Sequence, residues 1–348
     1  MATYDLIADL PLAIERVALE NCEAQLSAGF LRRTTLVRLA GVGVEGVGED
    51  VTYSADLHPP FQASPPPLHG TWTIDTLSRH LDTLDLFPSG PPEQPAYRLY
   101  RRWAVESAAL DLALRQAGRS LPELLGRPAR PVTFVASLRL GSPPTLEPVI
   151  KRLAITPSLR FKLDATAEWD DRLIAELIAT GAVDSIDFKG AYHGTVVDQP
   201  PDPDLYRRVA EAFPDAWLED PNLTPETDAV LRPHRARVTW DAVIHTVADV
   251  EALPFPPRMV NVKPSRSGSL STLFALYDHL AQRGIDGYGG GQSELGPGRG
   301  QAQALAALFH PDAPNDLAPS AYNLADPPPG LPASPLQPAL PAIGFGWL

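Results

Sequence analysis

The sequence predicts an α/β protein: a (β/α)8-type barrel, preceded by an N-terminal α+β capping domain and completed by the C-terminal tail. Three observations lead there. From about residue 131 short apolar strands alternate with helical segments, and alternation at roughly 20–30 residues implies parallel strands joined by right-handed crossovers. The 348 residues suffice for one barrel of about 200–250 residues and a smaller domain. Acids stand at the ends of consecutive predicted strands, where such a barrel carries its active site.

Residues 1–130 read as the α+β capping domain, with 326–348 packing back on it, and 131–325 as the barrel with its metal site. An apolar strand runs from Leu36 to Leu39, followed by Gly-punctuated turns and a second strand pattern up to Tyr53. Residues 57–70 are proline-rich and read as an exposed loop. Residues 97–126 read as a strong helix: Trp103, Ala104, Ala108, Leu110, Ala113 and Leu114 mark its apolar face and Gly118 stops it. The barrel strands are then 133–138, 158–164, 183–189, 215–220, 237–242, 258–263 and 285–291, with helices over 170–181, 202–213 and 269–284 and a weak eighth unit in 300–320.

Composition excludes several function classes. A net charge of −13 repels nucleic acid and anionic membrane. Cys22 is alone, so neither a disulfide framework nor a cysteine-rich zinc site is expected. Acids occupy the N-terminus where a signal peptide needs a basic start, and no apolar run reaches about 18 residues. A cytoplasmic protein is expected. Of 29 basic residues only four are lysine: Lys151, Lys162, Lys189 and Lys263. Arginine stays protonated, whereas burial and nearby cations lower a lysine's pKa enough for it to accept a proton. The last three of these lysines fall at strand ends.

Strand three ends in Asp187-Phe-Lys189, strand four in Glu219-Asp220, strand five in Asp241 and strand six in Lys263. Converging carboxylates from adjacent strands repel unless a cation sits between them, and a hard divalent ion with oxygen ligands, Mg²⁺ first and Mn²⁺ as a substitute, meets that need. The bland alternative is that each acid caps a helix or pairs with an arginine.

At this point a resemblance becomes specific. The helix RRWAVESAALDLALRQAGRSLPELLG, the run WLEDP, the motif VNVKPSRSG and the segment YGGGQSELGPGRG resemble, in order, the cap–barrel helix, strand-four metal motif, strand-six lysine motif and strand-seven segment of the enolase superfamily's muconate-lactonizing-enzyme-like subgroup. The resemblance implies Asp187, Glu219 and Asp241 as magnesium ligands, Lys263 as an acid/base, Asp220 beside the ligands, and Glu294 as a pocket carboxylate. It also implies α-proton abstraction from a carboxylate substrate through an enediolate, by a racemase, epimerase, cycloisomerase or syn-dehydratase. A small-molecule partner is implied, and a homo-oligomer is allowed.

The chain departs from that subgroup in two places. Strand two usually carries Lys-x-Lys, but here it reads Arg160-Phe-Lys162-Leu-Asp164. Either Lys162 is the catalytic lysine with Arg160 replacing its helper, or Lys162 is the helper and Asp164 has replaced the base; the local likeness of FKLD favours the second. Strand three usually has Asp-x-Asn, but Lys189 stands two residues from Asp187 and on the same strand face. Lys189 is expected either to take over the strand-two lysine's task or to be tied to Asp164. The rival function is a non-catalytic homologue binding a metal or carboxylate ligand. A phosphate site on the Gly-rich 289–300 loop is a weaker third reading. A lone acid, Asp316, stands in the strand-eight segment where dipeptide epimerases carry two, which disfavours a dipeptide substrate. His193 and His245 read as loop histidines, and Arg32, Arg33, Tyr53 and His58, in or beside loops at 20–32 and 53–70, as candidate substrate contacts.

Overall fold

The computed structural model describes residues 2–27, 30–195 and 197–347. Strand β1 (Pro11–Ile14) leads into an antiparallel meander of β2 (Arg16–Ser27), β3 (Phe30–Gly41) and β4 (Val44–Asp50), and β1 itself pairs with β5 (Gly70–Thr73). Val37 and Leu39 on β3 are fully buried, the period-two signature of a sheet with one covered face. That face lies on the helix Ala96–Ala117, which Gly118 ends in a left-handed cap at φ 65°. Gly46 and Gly48, expected in turns, sit inside β4 because the sheet touches the helix backbone there. A Cβ on Gly48 would lie 2.1 Å from the carbonyl oxygen of Ala104, and one on Gly46 2.2 Å from the amide nitrogen of Leu112.

Two sequence expectations for the cap fail. The span 20–32 is not a loop but the paired ends of β2 and β3; Ala28 and Gly29, at its turn, fall outside the described residues. The span 57–70 contains a short helix, His58–Gln62, because its prolines sit in the first turn, where a missing amide costs no helical hydrogen bond.

The barrel strands are β6 (Ala136–Arg139), β7 (Phe161–Asp164), β8 (Val183–Asp187), β9 (Trp217–Glu219), β10 (Val238–Thr239), β11 (Met259–Val262) and β12 (Asp286–Gly289). β6 to β10 form one parallel sheet in sequence order and β11 pairs parallel with β12. The amide of Asn261 bonds to the carbonyl of Trp240 at 2.9 Å, joining the two. Closure comes from residues 315–316: Asn315 bridges to Phe134 just before β6, and Asp316 to Gly290 just after β12. These seven strands and the two-residue stave form the (β/α)8-type barrel. The tail also contributes: Leu336 bridges to Val132, Gly344 to Ser120, and Phe345 packs edge-on against Trp103. Among the described residues no helix is long and apolar enough to cross a membrane.

Candidate active site and metal centre

Because parallel strands all end at one face, Asp164, Asp187, Glu219, Asp220, Asp241 and Lys263 arrive at a common mouth. Asp164 pairs with Asp187 across β7–β8, and Asp187 with Glu219 across β8–β9. Lys162, Asp187, Glu219, Asp220 and Asp241 are all at most 1% exposed, so each charge must find a partner inside the protein.

The partners are internal. The Lys162 ammonium donates to Glu219 Oε1, lies 3.2 Å from Asp187 Oδ2 and 3.7 Å from Asp316 Oδ2. The Tyr288 hydroxyl donates to the other oxygen of Glu219. Asp187 accepts the backbone amide of Lys189 on Oδ1 at 2.9 Å and the Lys189 ammonium on Oδ2. Asp241 accepts Lys263 Nζ at 2.7 Å and the Tyr192 hydroxyl at 2.8 Å on Oδ2, and Arg266 Nη1 at 2.5 Å on Oδ1. Asp220, held in the left-handed region at φ 46°, accepts the amides of Asp241 and Ala242 at 2.8 and 2.9 Å.

Electrostatics follow from this crowding. Burial works against charge on Lys162, but Glu219, Asp187 and Asp316 outweigh it and hold the ammonium well above the ordinary lysine range. Lys189 is held up likewise, burial being outweighed by Asp164 and Asp187. Lys263 is pulled below the usual value, by burial first, with Arg266 and Lys162 adding to it against Asp241. Asp241 is held far below the usual carboxylate range, since Arg266 and Lys263 outweigh its burial. Burial pushes Glu219 well up, with Lys162 opposing and Asp187, Asp241 and Asp220 reinforcing. Burial, Asp241 and Asp187 raise Asp220 to about 6.

The donor set suits a hard divalent ion. Oxygens of Asp187, Glu219 and Asp220 lie within 4.8 Å of one another, a span that oxygen ligands of one ion can bridge. Among the described residues, the cations paired with the carboxyl groups of Asp164, Asp187, Glu219, Asp220, Asp241 and Asp316 are Lys162, Lys189, Lys263 and Arg266, so carboxyl groups outnumber cations six to four. Asp241, expected as the third ligand, lies outside this tight group, engaged by Lys263 and Arg266; Asp220, which accepts the Asp241 backbone amide, is inside it.

One other expected site residue lies elsewhere. Arg160 does not join the cluster: it stands just before β7, outside the strand, and pairs with Asp184 and the carbonyl of Gly181. Lys162 and Asp164 share the mouth. Glu294 is buried but lies in the loop after β12, accepting the Gln292 amide at 2.7 Å and pairing with Arg299 at 3.1 Å. Lys151 is on the surface, paired with Glu147 and Asp326.

The cap residues also differ from expectation. Arg32 is fully buried and spends its guanidinium on five carbonyls, among them Thr52 at 2.6 Å, Val51 at 2.7 Å, and Gln292 and Ser293 at 3.1 Å. It fastens the cap to the loop after β12 and has no donor left for a substrate. Arg33 pairs with Glu23 at 2.6 Å, and His58 is buried against Thr35 and Thr52. Glu49 from β4 accepts the amides of Leu295, Gly296 and Gly298 at 2.7, 3.0 and 2.9 Å. A protein carboxylate therefore occupies the amides that a phosphate site on this loop requires.

Sequence reasoning missed Tyr288, Asn261, Tyr192 and Arg266. Tyr288 and Asn261 were visible in principle as inward positions by strand alternation, two residues from Gly290 and Lys263. Both amide atoms of Asn261 are buried without a hydrogen-bond partner. Tyr192 and Arg266 lie past strand ends, where no periodicity marks them. Gly290 has a steric reason: its Cβ would sit 2.4 Å from Lys263 Cε and 2.8 Å from Asn261 Nδ2.

Comparison with known proteins agrees with this architecture. Residues 5–124 and 128–324 match the N-terminal and C-terminal domains of a family described as a domain of unknown function, DUF8230. An o-succinylbenzoate synthase of Geobacillus stearothermophilus is 27% identical over 344 residues, covering 90% of this chain and 86% of that protein. A member of the enolase superfamily from Roseovarius nubinhibens superposes with TM-score 0.66 at 21% identity over 96% of this chain and 93% of that one. Muconate cycloisomerase from Pseudomonas fluorescens gives 0.63 at 20% identity over 88% and 87%. This chain therefore belongs to the DUF8230 family, and its fold is that of the enolase superfamily, alongside the muconate-lactonizing enzymes.

Proposed function

We propose that the chain is an Mg²⁺-dependent isomerase or lyase that removes the proton α to the carboxylate of a small-molecule substrate. One observation carries this reading: carboxylates of three consecutive strand ends and lysines from strands two, three and six meet in a single buried mouth. Asp187 and Glu219 would hold the ion, with Asp241 or the nearer Asp220 as third carboxylate. When bound, Mg²⁺ supplies positive charge that offsets the negative charge developing on a substrate carboxylate.

The chain's own residues do the rest. Lys263 rises from β11, across an eight-stave barrel from β7 and β8, so a substrate in the mouth has Lys263 on one side and Lys162 and Lys189 on the other. Lys263 is the group that takes or returns the α-proton at Nζ. Lys162, pinned by Glu219 and Asp187, holds fixed positive charge beside the metal ligands. Lys189 is either the opposing proton carrier or the partner of Asp164. The cap, taken as residues 1–130 with 326–348, roofs the barrel of 131–325 and excludes water, with Arg32 as its fastening. A single cysteine and strong negative charge fit a cytoplasmic setting.

The names of the relatives, an o-succinylbenzoate synthase and a muconate cycloisomerase, make elimination and cycloisomerisation of dicarboxylates the first reactions to try. The test is α-proton exchange in D₂O across N-acyl amino acids, dipeptides, lactones and aryl-substituted succinates, with Mg²⁺ and with EDTA. Exchange that needs Mg²⁺ and disappears in Lys263→Ala supports the proposal. If Lys189→Ala exchanges like the parent protein, Lys189 is not a base. A second reading, a non-catalytic ligand-binding homologue, draws on the fact that each mouth lysine is already tied to a carboxylate; Mg²⁺ binding without exchange of any substrate would favour it and sink catalysis.

A further inference from the structure

The Asp164–Lys189 pair has a geometry that an ordinary surface or core ion pair lacks. Asp164 and Asp187 are direct neighbours across β7–β8, so their carboxylates leave the same face of the sheet about 5 Å apart at the backbone. The Lys189 ammonium sits between them. It is bonded to Asp187 Oδ2, and Asp164 Oδ1 lies 3.5 Å away. That Asp164 oxygen is buried and accepts no hydrogen bond. The root of the lysine is fixed: its backbone is in the left-handed region at φ 53°, and its amide donates to Asp187 Oδ1 at 2.9 Å. Only the four-carbon stem is free to move. The Tyr192 ring, its centroid 5.0 Å from Nζ, flanks the ammonium.

A cation bound through Asp187 needs the oxygen that now takes two ammoniums. Lys162 can give it up, because Glu219 and Asp316 also receive its charge. Among the described residues, Lys189 has one further carboxylate within ion-pair distance, Asp164. We propose that Asp164 is the alternative seat of the Lys189 ammonium, and that transfer of the lysine from Asp187 to Asp164 frees Asp187 for the divalent ion. This rests on the metal-dependent reading above. Asp164 is then a positioning residue: it touches no ion and acts by receiving Lys189, while Lys162, Asp187 and Asp316 supply the field around it.

Isothermal titration of Mg²⁺ into the full chain, its Asp164→Asn and Lys189→Met variants and the double variant tests this, with circular dichroism as the check on folding. In Asp164→Asn the ammonium has no second seat and stays on Asp187, so Mg²⁺ should bind at least about tenfold more weakly, about 1.4 kcal/mol. Lys189→Met should bind as tightly as the parent or tighter, and the double variant should return to within about threefold of it. Asp164→Asn within threefold of the parent, or a double variant as weak as Asp164→Asn, overturns the proposal. Should Asp164→Asn fail to fold, weaker binding by Lys189→Met than by the parent overturns it instead. A parent protein that binds no Mg²⁺ removes the metal-dependent function and this inference together; a parent that binds beside an unaffected Asp164→Asn removes this inference alone.

Discussion

Acidification should weaken the protein through one buried histidine that holds the barrel closed. Asn315 Oδ1 accepts the amide of Gly289 at 2.6 Å and faces His310 Nδ1 at 2.6 Å, while Asn315 Nδ2 donates to the carbonyls of Thr133, His310 and Ala313. The amide orientation is thereby set, so Nδ1 must carry the proton and Nε2 accepts from the Tyr277 hydroxyl at 3.1 Å. A neutral ring satisfies both neighbours, and burial holds its pKa down at about 4, against the partial support of Asn315. A depressed pKa means that the histidine's contribution is present above the unfolded value of about 6.5 and is lost as pH falls through about 4. At about 1.4 kcal/mol per pH unit, that gap makes about 3 kcal/mol lost by pH 4. With an unfolding entropy near 2 cal/mol/K per residue, this is about 4 °C in Tm for a chain of this size. Urea unfolding from pH 8 to 4, in the parent and in His310→Gln, isolates the effect, because all other titrations are shared. Parent and variant profiles that run parallel within about 1 kcal/mol between pH 7 and 4 would refute the assignment.

Three further outcomes follow from the site and its supports. Lys162→Met leaves Glu219 and Asp187 without their shared ammonium and should cost about 3–5 kcal/mol in metal-free buffer; chemical denaturation in EDTA measures it, and a loss below about 1 kcal/mol contradicts the buried pairing. Gly290→Ala forces a methyl against the stem of Lys263, so about 1–3 kcal/mol of stability should be lost. The same variant should also slow Mg²⁺-dependent α-proton exchange, whereas unchanged stability and exchange would mean the lysine does not pass there. Arg32→Met orphans buried carbonyls on both cap and barrel, each worth about 1–3 kcal/mol; hydrogen–deuterium exchange should rise over residues 292–298, and unchanged protection there would show that Arg32 is not the fastening.

The sequence by itself determined the barrel and the order in which acids and lysines reach its mouth, because both are local or periodic properties. Hydrophobic period marks a strand wherever it occurs, and in a parallel barrel the last residue of every strand reaches the same face, so Asp187, Glu219 and Lys263 were legible from strand ends alone. Only the tertiary structure decided how the charges pair. Sequence order says nothing about which of six acids an ammonium four carbons from its backbone will reach, nor that oxygens of Asp220 group tightly with those of Asp187 and Glu219. Arg160 looked like part of the site because it stands two residues from Lys162, but it precedes the strand and turns to Asp184. Nothing local announces that Arg32 and Glu49 are buried; contacts across some 250 residues of chain, to the loop after β12, made them the fastening of the cap. Barrel closure by Asn315 and His310 was invisible for the same reason: a two-residue stave has no periodicity, and its hydrogen bonds to Thr133, Val135 and Gly289 exist only once both edges of the sheet have met.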